Sequence, residues 1–258
     1  MKTELVISAS SDQADIALLE DGRLQELIKE KGDDSFSVGD VYLGTVKKLA
    51  TSLNAAFVDV GYEKDAFLHY NDLGPQIKSW QTYLRRTLKG KQLSNITNFK
   101  AEPNIEKDGN IGDVLKQGNQ ILVQITKEPI STKGPRITAE LSIAGRFVVL
   151  VPFSNRVSVS QKIREREEKD RLKKLVRSIK PKGFGVIIRT VAKGQSAEEL
   201  QSDLDNLVRK WGQLHKGVKR SNKPLRIFRE MNRASAFLRD VFNESFTSIT
   251  IDNKELCE

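Results

Sequence analysis

The stretches GDVYLGTV (residues 39–46), AAFVDVG (55–61), DAFLHY (65–70) and QILVQIT (120–126) decide the fold of this chain. Each is a short run of β-favouring residues, and glycine or polar residues separate one run from the next. Short strands at this spacing are typical of a small antiparallel barrel. We therefore predict a β-barrel domain over residues 38–139.

Two phenylalanines of this domain are predicted to lie outside its core. Neighbouring side chains of a strand alternate between faces, so Phe57 shares a face with Asp59 and lies opposite Val58. The same alternation puts Phe67 on a polar face, opposite Leu68. Exposed rings suit single-stranded nucleic acid, because each stacked base contributes about 1–3 kcal/mol. The alternative, that a neighbouring domain covers both rings, stays open at this point.

The charge of the chain also favours a nucleic-acid partner. Lys and Arg outnumber Asp and Glu by 43 to 34, which gives a net charge of +9 and a pI near 9.5. Such a balance is the electrostatic footprint of a nucleic-acid binder, although a solvated basic surface can produce it too. The lysines predicted to contact phosphates are Lys47, Lys48, Lys64, Lys127 and Lys133.

Residues 74–110 interrupt the strand pattern and are predicted to be an insertion in a barrel loop. The apolar residues Ile77, Trp80, Leu84 and Leu88 have helical spacing, which predicts an amphipathic helix. Seven basic and three acidic residues lie in this insertion. Both a packing role against the barrel and a contact with RNA remain open for this helix.

A second compact unit of β-α-β-α order is predicted over residues 140–221. Its strands are RFVVLVPF and GFGVIIRT, and its first helix lies between them. Ser196 and Glu199 form a capping box that starts the second helix. The predicted buried stripe of that helix is Leu200, Leu204, Leu207, Val208 and Trp211. The basic stretch His215 to Pro224 is interpreted as a linker.

The two ends of the chain are predicted to complete each other. Strands are expected at Leu5 to Ala9 and Ile16 to Leu19, followed by a turn at Gly22. A strand at Ser248 to Asp252 is expected to join them after a helix. That helix is predicted through Ala234, Leu238 and Val241.

Several classes of site are unsupported by the sequence. No run of eighteen apolar residues is present, which predicts a chain without a membrane span. The single cysteine, Cys257, can form neither an internal disulfide nor a zinc site. Asp203 and Asp205 diverge on a helix, so they cannot share a metal ion. These observations predict a cytoplasmic protein without a metal site in this chain.

The barrel region resembles the RNA-binding S1 domain of the ribonuclease E/G family. The resemblance rests on GDVYLGTVKKL, then SLNAAFVDVGYEKDAFLH, then a closing strand and Lys133-Gly134. It implies that Phe57, Phe67, Lys127 and Lys133 contact RNA. The insertion at 74–110 departs from the best-known members.

The resemblance continues at GVIIRT and KGQSAEELQSDL. In that family this region recognises a monophosphate at the 5′ end of RNA, which implies phosphate-binding roles for Arg189 and Thr190. A guanidinium can hold a phosphate through two parallel hydrogen bonds. Both residues can serve only if the strand ends there or Thr190 also uses its backbone N–H. The resemblance assigns Gly145 and Val149 to the opposite wall of the pocket.

From residues and resemblance together we expect an α+β multidomain protein. An S1-type OB-fold barrel (38–139) and an α/β 5′-sensor unit (140–221) would be inserted into an RNase H-like subdomain split between 1–37 and 222–258. The expected function is that of the RNA-binding N-terminal part of a bacterial endoribonuclease of RNA processing and decay. Its expected partner is single-stranded RNA, preferably with a 5′-monophosphate.

The family further implies magnesium, held by carboxylates that this chain does not supply, so we expect the chain alone to be inactive. It also implies homo-oligomers for the full-length protein only. The alternative is a stand-alone, non-enzymatic S1-type protein acting in translation or ribosome assembly.

Overall fold

The chain divides into two compact units, Met1–Ser37 with Met231–Glu258, and Val38–Glu230. The structure, a computed structural model, describes residues 2–9, 13–31, 36–221, 223–230, 239 and 246–252. The predicted helix through Ala234, Leu238 and Val241 lies outside the described residues. None of the helices in these described ranges is long and apolar enough to cross a membrane.

The first unit contains a four-stranded sheet made from both ends of the chain. Its strands are β1 (Thr3–Ala9), β2 (Gln13–Glu20), β3 (Arg23–Lys31) and β14 (Phe246–Ile251), in the order β14-β1-β2-β3. β14 runs parallel to β1, while the other neighbours are antiparallel. Leu5, Ile7, Ile16 and Ile28 form its core. The strand pairing of the two ends was expected, whereas β3, which follows the Asp21-Gly22 turn, was not predicted as a strand.

A closed barrel begins the second unit. Its strands are β4 (Val41–Ala50), β5 (Ala55–Asp59), β6 (Ala66–His69), β7 (Gln120–Lys127) and β8 (Arg136–Thr138). They pair in the order β4-β5-β6-β8-β7, and a β4–β7 ladder closes the ring. This OB-like closure confirms the predicted barrel. β13 (Leu225–Phe228) pairs antiparallel with β4. This pairing was not expected, because these residues had been assigned to the predicted C-terminal segment 222–258.

The insertion supplies the helix α1 (Ile77–Leu88), as predicted from its apolar spacing, and the short α2 (Ile111–Val114) follows the insertion. The buried face of α1 packs against β7 and a later helix, α4 (Ala197–Arg220). Trp80 meets Trp211 of α4 edge to face at 5.8 Å between ring centroids. The helix therefore has the packing role, and its opposite face is left exposed.

An α/β layer follows the barrel. Its sheet has the order β11-β12-β10-β9, with β9 (Ile143–Ala144), β10 (Val148–Pro152), β11 (Val157–Val159) and β12 (Phe184–Ile188). The helices are α3 (Arg166–Ile179) and α4 (Ala197–Arg220). One core cluster includes Leu43 and Leu122 of the barrel together with Trp211 and Leu150 of the layer. The barrel and the layer thus share a core.

Two predictions about α4 need correction. The capping box of Ser196 and Glu199 is confirmed, but Val208 lies at the edge of the apolar stripe and is 38% exposed. The predicted linker from His215 is wrong, because α4 continues to Arg220 and buries His215. At Gly217 a Cβ atom would lie 2.4 Å from the backbone oxygen of Ile227. The glycine allows β13 to approach the helix, so it reflects a tertiary contact and not a break.

Candidate nucleic-acid interface

A row of cationic and aromatic residues crosses the outside of the barrel. Strand register pairs Lys48 with Phe57, Phe57 with Phe67, Phe67 with Arg136, and Arg136 with Lys127. Lys48, Arg136 and Lys127 are exposed and the two rings are half-buried. The row contains Phe57, Phe67 and Lys127, which are three of the four residues to which the resemblance assigns RNA contacts. Arg136 was missed by the sequence analysis, since only the register shows its position.

The two rings form one stacking surface. Their centroids are 5.8 Å apart and their planes make an angle of 68°. Val58 and Leu68, the neighbours on the other face of their strands, are fully buried. The predicted alternation is therefore confirmed. Because the rings are cross-strand partners, two neighbouring bases of one nucleic-acid strand can reach both.

A groove of about 760 Å³ lies beside this row and brings together the predicted residues Phe57, Phe67, Lys127 and Lys133. Lys64 and Arg136 also line it. Lys133 stands at the β7–β8 loop, where its backbone N–H donates to the Ile130 carbonyl at 3.0 Å.

Most of these cations have no acidic partner in the described part of the chain. Among the residues that the structure describes, none pairs with Lys64, Lys127 or Lys133. Arg136, in contrast, is held by Asp72 at 2.9 Å, and Lys47 by Asp59 at 3.3 Å. Lysines without carboxylate partners are the groups that can exchange counterions for phosphates.

The second predicted site lies at the end of β12. This strand ends at Ile188, and a 3₁₀ turn over Thr190–Ala192 follows it. The guanidinium of Arg189 donates from Nη1 to the carbonyl of Gly145 at 2.7 Å. Its backbone N–H donates to the Phe147 carbonyl at 2.8 Å. The structure thus brings together Arg189 and Gly145.

Val149 and Thr190 take different positions around this pair. Val149 lies in β10, half-buried, and pairs with Ile187 of β12. The Thr190 hydroxyl lies 2.9 Å from Ser160 Oγ, just beyond β11. Since β12 lies between β10 and β11, the Arg189 and Thr190 side chains turn towards opposite neighbours. An ended strand is present, but these side chains do not converge on one point.

Asp203 fixes the turn that carries Gly145, a role that the sequence analysis missed. Its carboxylate accepts hydrogen bonds from the backbone N–H groups of Arg146 at 3.1 Å, Phe147 at 2.8 Å and Val148 at 3.0 Å. A Cβ atom on Gly145 would lie 2.5 Å from both carboxylate oxygens. Asp205 instead accepts from Gln201. Nothing in the local sequence distinguishes the two aspartates, because their partners are distant in the chain.

The loop after Arg189 is tied to helix α3. Glu168 accepts a hydrogen bond from the Gly194 N–H at 2.8 Å, and Arg171 donates to the Gln195 carbonyl at 3.1 Å. Arg171 also holds Glu168 through two donors, at 2.7 and 2.8 Å. This pairing, with a smaller contribution from Gly194, lowers the pKa of Glu168 to about 2. Glu168 is therefore a carboxylate at neutral pH and can hold the loop.

A metal site is not found in the part of the chain that the structure describes. No group of three or more His, Cys, Asp or Glu side chains is arranged there to hold an ion. The Asp252 carboxylate accepts from Ser8 Oγ at 2.6 Å.

Fold and site together define an α+β protein with a closed OB-like barrel that carries half-buried aromatic and exposed basic residues on its surface. Residues 142–258 match the Ribonuclease E/G family. Over 98% of its length the chain is 31% identical to Ribonuclease G of Escherichia coli and 32% identical to Ribonuclease E of Synechocystis. It is also 34% identical to a Ribonuclease E/G-like protein of Porphyra purpurea over 254 residues.

The chain belongs to the ribonuclease E/G family. It covers 48% of the Escherichia coli relative, 44% of the Porphyra one and 33% of the Synechocystis one. It thus spans a third to about half of the length of these relatives.

Proposed function

We propose that this chain is the RNA-binding, N-terminal part of an endoribonuclease of RNA processing and decay. The observation that carries the proposal is the row on the barrel, in which Phe57 and Phe67 adjoin exposed cations. Aromatic rings take bases of any sequence, and lysines take the phosphates between them. The ligand of this surface is therefore single-stranded RNA, read without strong sequence preference.

The end of β12 is proposed to hold the 5′-monophosphate of the same class of RNA. The Arg189 guanidinium is a planar fork of five N–H donors, a geometry that suits bidentate contact with a phosphate, and its Nη1 donates to the Gly145 carbonyl. The Thr190 hydroxyl is engaged with Ser160, so we assign its backbone N–H as the further donor. Val149 and Gly145 would form the facing wall.

Hydrolysis of the RNA backbone with magnesium is proposed for the longer members of the family. Magnesium needs carboxylate or phosphate oxygens in octahedral arrangement. The described residues offer no such group of carboxylates. They do not fit this ion, and no step of cleavage is assigned to them.

The barrel proposal is tested by the double variant Phe57→Ala/Phe67→Ala. Loss of stacking should weaken binding of a single-stranded oligoribonucleotide by roughly 5- to 150-fold for each ring. Fluorescence anisotropy measures the affinity, and circular dichroism during heating checks the fold. Because both rings are half-buried on the surface, the unfolding temperature should fall by only a few degrees.

Leu225→Ala is the control for this variant, since it removes an exposed apolar side chain from β13. It should leave the affinity unchanged. A folded double variant that binds RNA as tightly as the unaltered protein would refute stacking on this face.

A further inference from the structure

The exposed face of helix α1 is strongly basic. From Leu73 to Ala101 the chain contains six Lys and Arg residues and no Asp or Glu. Arg85 and Lys89 are separated by four residues, so they lie on the same side of the helix end, and both are exposed. The barrel packing of α1 uses its other face and does not require this charge.

Arg85 and Lys89 border a groove of about 340 Å³ between the insertion and the barrel. Its lining consists of Gln81, Leu84, Arg85, Leu88, Lys89 and, from the start of β7, Gln120. Leu84 is only 3% exposed, which gives the groove an apolar floor. The groove thus combines the apolar side chains of Leu84 and Leu88 with two cations and the amide of Gln120. A nucleotide has matching parts, since its base is apolar on its face and its phosphate is anionic.

The two cations have no carboxylate partner among the residues that the structure describes. Several cations elsewhere do, such as Arg171 with Glu168 and Lys193 with Glu165. The helix dipole favours cations at the C-terminal end of a helix, and it would account for a positive charge in the last turn of α1. It does not account for a groove whose second wall comes from the barrel.

Strand register connects this groove to the aromatic row. Gln120 pairs with Thr45 of β4, and Lys48, three residues further along β4, pairs with Phe57. Three residues of strand span about 10 Å. A single RNA strand that stacks on Phe57 can therefore continue along β4 to the groove without leaving the barrel surface.

We propose that the groove beside α1 is a second binding subsite for single-stranded RNA. Arg85 and Lys89 contact its phosphates, and one base or ribose lies on Leu84 and Leu88. The proposal rests on the RNA-binding function of the barrel and extends the contacted strand beyond the two rings.

The test is the double variant Arg85→Gln/Lys89→Gln, measured with oligouridylates of about four and about twelve nucleotides, both within the range of site sizes of OB folds. Two lost phosphate contacts should reduce the slope of log affinity against log salt by about 1.4 for the longer RNA. At low salt the longer RNA should bind roughly ten-fold more weakly. The shorter RNA, which covers the rings alone, should bind as before.

Lys174→Gln/Arg177→Gln is the matched control, because it removes two exposed cations near the end of another helix, α3. This control should reduce the slope of log affinity against log salt far less than the Arg85/Lys89 variant does. Lys89→Gln alone serves as a milder variant if the double one unfolds, with about half of the change in slope.

An unchanged slope and affinity in a folded Arg85/Lys89 variant would refute the groove, while the barrel proposal would stand if the Phe57/Phe67 variant still binds weakly. Equal losses in the α3 control would also refute it, since they would reflect net charge. Failure of the unaltered protein to bind either RNA would instead refute the proposed function.

Discussion

The carboxylate of Asp203 accepts three backbone hydrogen bonds from Arg146, Phe147 and Val148. These bonds fix the turn that presents the Gly145 carbonyl to Arg189. In the proposed pocket Asp203 is therefore a positioning residue, since it acts through the turn and the guanidinium. A charged acceptor of several N–H groups contributes more than a neutral one.

Asp203→Asn should abolish the preference for 5′-monophosphorylated over 5′-hydroxyl RNA, because its amide N–H₂ group would face backbone donors. Arg189→Gln should have the same effect, because it removes the guanidinium that is proposed to contact the phosphate. Binding of the 5′-hydroxyl RNA, which depends on the barrel, should stay within about two-fold, a change of a few tenths of a kcal/mol. Competition between the two RNAs in anisotropy measures the preference.

Asp205→Asn is the control for this pair, as Asp205 contacts only Gln201 among its described hydrogen-bond partners. Equal affinity of the unaltered protein for both RNAs would contradict the pocket. It would favour the alternative of a stand-alone S1-type module.

The sequence predicted the individual helices and strands better than it predicted their distant contacts. Alternation in β5 and β6 predicted which residues face outwards, and apolar spacing predicted α1. Ser196 and Glu199 predicted the start of α4 because a capping box is a local interaction. The end of α4 could not be predicted, since Gly217 resembles a helix stop until the neighbouring β13 is known.

Helices α1 and α4 meet at a buried hydrogen bond between the Tyr83 hydroxyl and His215 Nδ1, 2.6 Å apart. Burial raises the pKa of Tyr83 above its ordinary value, so the phenol stays neutral. Burial, followed by the charge of Lys219, lowers the pKa of His215. The folded protein therefore holds this imidazole neutral.

Stability should consequently fall as the pH drops below about 6.5, the ordinary histidine value. Below that pH the unfolded chain binds a proton at His215 more readily than the folded one, which favours unfolding. Thermal unfolding between pH 8 and pH 5 measures this dependence.

His215→Gln should weaken this dependence of stability on pH. If the variant keeps the slope of the unaltered protein, protonation of His215 is not the cause. Carboxylates would then account for the loss at low pH.

At the scale of the whole molecule, the sequence predicted the barrel and the meeting of the two chain ends, but not the partners across distant strands. The pairing of β13 with β4 joins residues far apart in the chain, and no local signal precedes it. The same holds for Phe57 beside Phe67, where alternation gave the face and only register gave the neighbour. Contacts of high sequence separation thus account for what was missed.

Leu5→Ala should test whether the two ends share one core. Leu5 is 1% exposed, and a cavity at such a site costs about 2–5 kcal/mol. Amide hydrogen exchange should speed up in β14, more than 240 residues away, as well as in β1 and β2. Val6→Ala is the control, because Val6 is 40% exposed on the other face of the same strand. Unchanged protection of β14 in Leu5→Ala would contradict a shared core.

The parallel pairing of β1 with β14 also determines when this sheet can be completed during synthesis of the protein. β14 follows β1 by more than 230 residues, so β1 is synthesised well before its partner. At about 5–20 residues per second, β1 waits roughly 12 to 48 s with an open strand edge. During that interval the barrel and the α/β layer can complete their shared core. β1, which is made before the barrel and the layer, therefore gains its parallel partner only after both of them.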